Sequence, residues 1–172
     1  MKKYAEKNRN MREPLRISSE DKFLKNICLW CDISLLNMPQ NKFCSKPCAH
    51  EYRLRSDMRY MRRCVYLRDK GICSNCQTDC DLLFQQAQEI LDCSGILQLF
   101  LFLKEKGFTT GRIKGFLNRK QSLWDAHHLI SISEGGGGCG LDGMSTLCVA
   151  CHRRTTKKQR NTFDLDLENT LF

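Results

Sequence analysis

The chain has 172 residues, of which 41% are hydrophobic and 27% charged, which is typical of one ordinary globular domain or two very small ones and not of a disordered chain. Lysine and arginine number 28 against 19 aspartates and glutamates, and the net charge of +9 favours polyanionic partners, although a solvated basic surface would give the same balance. The densest apolar stretch, residues 96–103, is much shorter than the roughly 18 residues of a membrane span, and no secretory signal is visible at the N-terminus, so we expect no membrane association.

Cysteine is the most informative residue type, with 12 copies. Without a secretory signal we expect a reducing, intracellular compartment, where disulfides are rare and closely spaced cysteines usually bind metal. Eight of them form four tight pairs: Cys28/Cys31, Cys44/Cys48, Cys73/Cys76 and Cys148/Cys151. Because two such pairs complete a tetrahedral site, the sequence predicts two structural Zn(II) ions, one held by the first two pairs and one by the last two. The remaining four, Cys64, Cys80, Cys93 and Cys139, are expected to be small core residues.

The N-terminal third of the chain is predicted to hold a basic arm or linker at residues 1–26 and a four-cysteine zinc finger at residues 27–56. The pattern becomes helical after Cys48, and Ser56 and Asp57 resemble the cap of a second helix that ends at Gly71. One face of this helix carries the apolar set Tyr60, Cys64 and Leu67, and the rest is rich in arginine.

The middle of the chain is predicted to form a helical insert at about residues 81–120. Residues 81–103 lack lysine and arginine and repeat apolar side chains at helical spacing, whereas glycines 107, 111 and 115 are expected to interrupt regular structure. Beyond the insert, residues 128–133 alternate like a strand, residues 135–138 must form a loop, and residues 151–160 form a basic helix. Residues 161–172 are predicted to be a tail.

Three histidines lie in residues 124–156, which read WDAHHLISISEGGGGCGLDGMSTLCVACHRRTT. His127 and His128 are predicted to open a strand, and His152 directly follows the last cysteine pair. Adjacent strand residues point to opposite sides, so His127 and His128 cannot readily share one metal ion. One of them can therefore bind a metal while the other acts as a base.

This segment resembles the HNH endonucleases, whose usual pattern is Asp-His, an apolar strand, a glycine-rich loop, Leu-x-Asn and then Leu-Cys-x-x-Cys-His. The resemblance is closer to the zinc-finger and nuclease region of annealing helicases and covers about residues 27–160. The matching features outside the histidine segment are the finger cysteines with residues 43–48, Leu-Arg-Ser at 54–56 and Gly-x-Cys-x2-Cys at 71–76. The implied fold is small, zinc-stabilised and α+β, with a treble-clef-like zinc finger followed by a ββα-metal (HNH) nuclease domain over residues 57–160.

The resemblance implies a role for each matching residue. His128 matches the general base, and His127 and His152 match the residues that bind a catalytic divalent ion, Mg(II) or Mn(II). Gly143 stands where the family has its central Asn, which fixes the loop and the base, so replacing Gly143 with Asn is expected to raise a weak activity. The implied reaction is hydrolysis of a DNA phosphodiester that leaves 5′-phosphate and 3′-hydroxyl ends.

Partners and location follow from charge and resemblance together. Clustered basic residues predict a sequence-independent DNA surface, and its members are Arg59, Arg62, Arg63, Arg153, Arg154 and Lys157. The resemblance adds branched or forked DNA, nuclear replication or repair, and a replication-factor partner bound through a region missing from or separate from this chain. Two alternatives stay open: a DNA-binding module impaired in catalysis, and a zinc-organised interaction module whose residues 163–172 dock on a partner.

Overall fold

The protein is described by a computed structural model that covers residues 26–39, 42–119 and 121–170. This part of the chain is α+β, and its secondary structure comprises, in order, helices α1 (Lys46–Ser56), α2 (Met58–Asp69), α3 (Cys80–Glu105) and α4 (Thr110–Arg119), strands β1 (Trp124–His128) and β2 (Met144–Cys148), and helix α5 (Val149–Thr170). None of these helices combines the length and the apolar character needed to span a membrane. The predicted arm, apart from Asn26, and the last two residues of the predicted tail lie outside the described residues.

The two Cys-x2-Cys knuckles at Cys28 and Cys73 have the same backbone construction. Each is closed by an isolated antiparallel bridge, Ile27 with Ser34 and Ile72 with Asp79. The first cysteine of each knuckle donates its N–H to a carbonyl five residues later, at 2.8 Å in the first and 2.9 Å in the second. Both knuckles thus form the same tight hairpin, which aims two thiols at one point.

The second pair of each cluster lies where a helix begins. Ser45 caps α1, its hydroxyl accepting from the Cys48 N–H at 3.3 Å, and a proline occupies the first turn, where no N–H is needed. In the second cluster Cys148 ends β2 and Cys151 lies in the first turn of α5. The combination of a knuckle with a pair of cysteines at a helix start therefore occurs twice in the described residues.

Strands β1 and β2 form one antiparallel sheet whose register pairs His127 with Ser145 and His128 with Met144. Helices α2 and α5 pack against this sheet, and the hydrophobic core that they form with it includes Cys73, Cys148 and Cys151 of the second cluster. Helix α3 is kinked at Gly95, where φ is +80°. Its buried side chains form a second core with α4 that includes Leu123, just before β1, and Val149, at the start of α5. The insert therefore packs beside the histidine segment.

Four local predictions differ from the structure. The histidines end strand β1 rather than opening a strand, and Ile132–Glu134 is a 3₁₀ turn. Helix α2 is capped by Asp57 as predicted, but it buries Met61 and Val65, and Leu67 is exposed.

The other two differences concern the extent of helices. Residues 111 and 115 lie inside α4, because packing of Ile113 and Phe116 into the insert core outweighs the low helix propensity of glycine. Helix α5 continues to Thr170, past the predicted end near residue 160.

Candidate metal and catalytic site

The two four-cysteine clusters come together as the spacing predicts. Cys28, Cys31, Cys44 and Cys48 form one group and Cys73, Cys76, Cys148 and Cys151 the other, and the sulfurs within each group lie within 4.8 Å of one another. In the described part of the chain these are the only groups of three or more potential ligand side chains gathered so closely. Individual sulfur pairs lie at 3.4 Å and 3.7 Å, close to the roughly 3.7 Å that tetrahedral Zn–S bonds of about 2.3 Å impose.

The surroundings of the thiols favour thiolate at one position of each knuckle. Burial alone would raise the pKa of Cys28, but backbone N–H groups of Cys31, Cys44 and Trp30 donate to its sulfur and bring the pKa to about 6. Burial alone would also raise the pKa of Cys76, but hydrogen bonds from Thr78 bring it to about 6. Thiolate is the form that binds zinc, so both knuckles suit a Zn(II) ion.

His127 and His152 face each other between β1 and the first turn of α5. Their ring centroids are 5.3 Å apart with a tilt of 68°, and His127 is buried, with 6% of its surface exposed. Burial, together with the neighbouring His152 and His128, lowers the pKa of His127 to about 4, so its imidazole is neutral near neutral pH and keeps a lone pair for a metal. Because Cys151 precedes His152, the second zinc cluster fixes the position of this imidazole.

Asp125 belongs to this site, although the sequence pattern did not identify it. Its Oδ2 lies 3.1 Å from His152 Nδ1 and 2.5 Å from Arg112 Nη2, and Arg62 Nη1 lies 3.9 Å from its Oδ1. Burial alone would raise the pKa of Asp125, but hydrogen bonds from His152 and Arg112 hold it below its ordinary value. The signal in the sequence was its position two residues before His127, which places both side chains on one side of a strand.

The carboxylate of Asp125 determines how His152 presents its ring. An ionised carboxylate only accepts hydrogen bonds, so Nδ1 of His152 must donate, and Nε2 is left as the acceptor nitrogen. The carboxylate, His127 and His152 do not bring three donor atoms within 4.8 Å of one another, as the two cysteine clusters do. Asp125 therefore orients the ring of His152 rather than completing a group of three potential ligands.

His128 occupies the last position of β1, where its side chain lies on the face opposite to His127. It is partly exposed, and burial lowers its pKa below the ordinary value, so its imidazole is a neutral base near neutral pH. The next residue, Leu129, donates its N–H to the Gly143 carbonyl at 2.9 Å. The glycine-rich loop (residues 133–143) is thus tied by its backbone to the residue beside His128.

Gly143 is closely packed against Cys139. A Cβ on Gly143 would lie 2.7 Å from Cys139 Cβ and 2.8 Å from its Sγ, closer than real Cβ contacts. Cys139 is itself buried, with 5% exposed. A side chain at position 143 therefore requires the loop or Cys139 to move first, and the expected gain in activity from Gly143→Asn stays a prediction.

The predicted basic surface divides into two groups. Arg59, Arg63, Arg153 and Lys157 are exposed. Arg62 instead lies 3.8 Å over the Trp124 ring and donates to the Trp124 carbonyl at 2.6 Å. Arg154 is also exposed, but it donates to Cys151 Sγ at 3.1 Å, where its charge favours the thiolate form of that cysteine. Two of the six residues are therefore engaged in holding the site.

Comparison with known proteins finds mammalian relatives named DNA annealing helicase and endonuclease ZRANB3. The mouse protein is 28% identical over 160 residues, covering 83% of this chain, and the bovine protein 31% identical over 128 residues, covering 69%. The human protein is 26% identical over 125 residues, covering 72%. No family model matches the chain, and no solved structure matches it. The chain spans only 11–14% of the length of these relatives. Over most of its length, therefore, this chain is a homologue of one part of the DNA annealing helicase and endonuclease ZRANB3.

Proposed function

We propose that this chain is a metal-dependent DNA endonuclease of the HNH type, acting on branched or forked DNA in nuclear replication or repair. The observation that carries the proposal is the pair of facing imidazoles, His127 and His152, 5.3 Å apart between β1 and α5. The relatives carry the word endonuclease in their names, which supports the same class of activity.

The donor set suits one divalent ion. Each imidazole can offer one nitrogen to a metal, because burial keeps His127 neutral and the contact of His152 Nδ1 with Asp125 directs Nε2 of His152 away from the carboxylate. Two protein ligands leave the other coordination positions of the ion open for a phosphate oxygen and for water molecules, which Mg(II) usually keeps. Bound there, such an ion would offset the charge that develops on the scissile phosphate and the leaving 3′ oxygen.

His128 acts as the general base in this proposal. Burial lowers the pKa of His128, so its imidazole is mostly unprotonated at neutral pH and able to take a proton from the attacking water. The attack would leave 5′-phosphate and 3′-hydroxyl ends. The two four-cysteine zinc ions are structural, because four thiolates leave no open position for substrate.

The test compares cleavage of linear, forked and flapped DNA by the zinc-loaded protein with Mg(II) or Mn(II) and with chelator-treated buffer. His128→Ala is expected to lower kcat by roughly 100-fold or more while DNA affinity is kept. Ligation of the products without prior end treatment checks the polarity of the ends. No cleavage of any form with either metal would contradict the proposal.

A DNA-binding module without catalysis is the second candidate, and the observation that favours it is Gly143, which has no side chain where the resembling nucleases have Asn. It predicts salt-sensitive binding to all three DNA forms without metal-dependent cleavage. A replication-factor partner bound outside this region is compatible with both candidates.

A further inference from the structure

Arg55 in the last turn of α1 contacts the knuckle that carries the first two cysteines of the first zinc cluster. Its guanidinium carbon lies 4.6 Å from the centroid of the Trp30 ring, and Trp30 sits inside the Cys28/Cys31 knuckle. Its Nη1 donates to the Glu51 carbonyl at 3.0 Å and pairs with the Glu51 carboxylate. Only 26% of the Arg55 side chain is exposed, so the guanidinium is held by the finger rather than extended into solvent.

The same guanidinium reaches the glycine-rich loop. The position that a Cβ would take on Gly140 lies 3.0 Å from Arg55 Nη2, so glycine allows the loop backbone to approach this arginine closely. Burial raises the pKa of the neighbouring Cys139, and the charge of Arg55 acts in the opposite direction. Arg55 thus joins Trp30 of the finger to Gly140 of the loop.

The loop is in turn connected by hydrogen bonds to the strand that carries the histidines. Gly143 donates its N–H to the Gly140 carbonyl at 3.0 Å, and the Gly143 carbonyl accepts from Leu129 N–H at 2.9 Å. Leu129 directly follows His128. A continuous set of contacts therefore runs from Trp30 through Arg55 and the loop to the end of β1.

We propose that the first zinc cluster positions the glycine-rich loop through Arg55, and so helps to fix the backbone beside His128. Its effect on cleavage rests on the proposed function, whereas its effect on the loop does not. Arg55 is a positioning residue in this proposal, because it acts on the histidine only through Gly140 and Gly143.

The test measures amide hydrogen exchange of peptides covering residues 128–143 in the zinc-loaded protein. Arg55→Ala is expected to speed loop exchange about fivefold, because it removes a cation–π interaction and its accompanying hydrogen bonds, with zinc content unchanged. Arg53→Ala is the matched control: it removes the same charge from the same helix, but Arg53 stacks on Tyr60, 4.2 Å away, so loop exchange should stay at the wild-type rate.

Arg55→Lys keeps the charge and loses the planar stacking group. If Arg55→Ala loses zinc, this second variant tests whether Arg55 positions the loop. It is expected to retain zinc and to speed loop exchange by about twofold. Exchange at the wild-type rate in a zinc-replete Arg55 variant would overturn the proposal, as would equal acceleration by Arg53→Ala. Cleavage is a separate readout: kcat should fall in Arg55→Ala with KM for DNA unchanged. A wild-type protein that cleaves no DNA would refute the proposed endonuclease activity, but the hydrogen-exchange result would still test the role of Arg55.

Discussion

Asp125 connects three elements at one carboxylate, since it meets His152 of α5, Arg112 of α4 and Arg62 of α2. Asp125→Asn keeps the shape, but it replaces an acceptor-only carboxylate with a neutral amide that can also donate, so the tautomer and orientation of the His152 ring are no longer fixed. We expect affinity for Mn(II) to fall about 10- to 100-fold, while both structural zinc ions are retained. Calorimetric titration of the zinc-loaded protein with Mn(II) measures this change.

The control for this substitution is Asp142→Asn, which changes an exposed carboxylate on the glycine-rich loop. Equal Mn(II) affinities for Asp125→Asn and the wild type would show that Asp125 does not support a metal ligand.

Gly143 illustrates how a neighbouring side chain limits a substitution. Gly143→Ala places a Cβ against Cys139, and overpacking of this kind typically costs about 1–3 kcal/mol. We expect that loss in the free energy of unfolding measured in denaturant, and relief in the double variant with Cys139→Gly. Gly111→Ala is the control, because nothing lies within 4 Å of the added atom; there we expect a gain of up to about 1 kcal/mol.

At the scale of elements, α2 is joined to β2 by one carboxylate. Asp69 accepts from the Thr146 hydroxyl at 2.9 Å and the Thr146 N–H at 3.1 Å, and it pairs with Arg68, which also donates to the Leu141 and Met144 carbonyls. Asp69→Asn removes the ion pair and is expected to cost about 1–3 kcal/mol of unfolding free energy. Ser74→Ala, an exposed change in the adjacent knuckle, should cost much less.

The effect of Asp69 on stability should depend on pH in a defined direction. The hydrogen bond from Arg68 lowers the pKa of Asp69, opposed by burial and helped by Thr146. A carboxyl whose pKa is lowered by folding stabilises the protein above its unfolded pKa and loses that contribution as pH falls through the folded pKa. The difference between wild type and Asp69→Asn should therefore stay constant from about pH 8 to about pH 5. A difference that grew on acidification would contradict this assignment.

The features predictable from the sequence are those set by short spacing. Three such features depend little on the rest of the chain: the cysteines spaced three or four residues apart, Asp57 before a helix, and the loop at residues 135–138. The contacts of Asp125 could not be predicted in this way, because Arg112 is 13 residues away and Arg62 comes from α2. The position of the histidines at the end of β1 depends on its register with β2, which the sequence pattern alone did not determine.

At the scale of the whole molecule, the two zinc clusters differ in what they support. Cys73, Cys148 and Cys151 belong to the main hydrophobic core, whereas the first cluster lies outside both buried cores found in the described residues. Cys151→Ser is therefore expected to unfold the histidine-containing half, since structural zinc contributes on the order of 10 kcal/mol of folding free energy. Cys31→Ser should lose one zinc and retain that half.

Elemental analysis and near-ultraviolet circular dichroism distinguish the two zinc variants. The wild type should contain two zinc ions per chain, as its two four-cysteine clusters require. A Cys151→Ser protein with native dichroism and a single remaining zinc would refute a core role for the second cluster.

The net charge of +9 is a property of the whole chain, but the structure restricts which cations are available to DNA. Arg59 and Arg63 are exposed on α2, whereas Arg62 between them is bound to Trp124 and close to Asp125.

Replacing both Arg59 and Arg63 with Ala should weaken binding to all DNA sequences alike. The slope of log affinity against log salt should become shallower by about one for each phosphate that is no longer neutralised. Arg62→Ala should instead lower the free energy of unfolding, because it removes the half-buried guanidinium that donates to the Trp124 carbonyl and stacks on the Trp124 ring. Fluorescence anisotropy over a salt series with a Lys106→Ala control for loss of charge separates these outcomes. An unchanged salt slope in the Arg59/Arg63 double variant would place the DNA surface elsewhere on the protein.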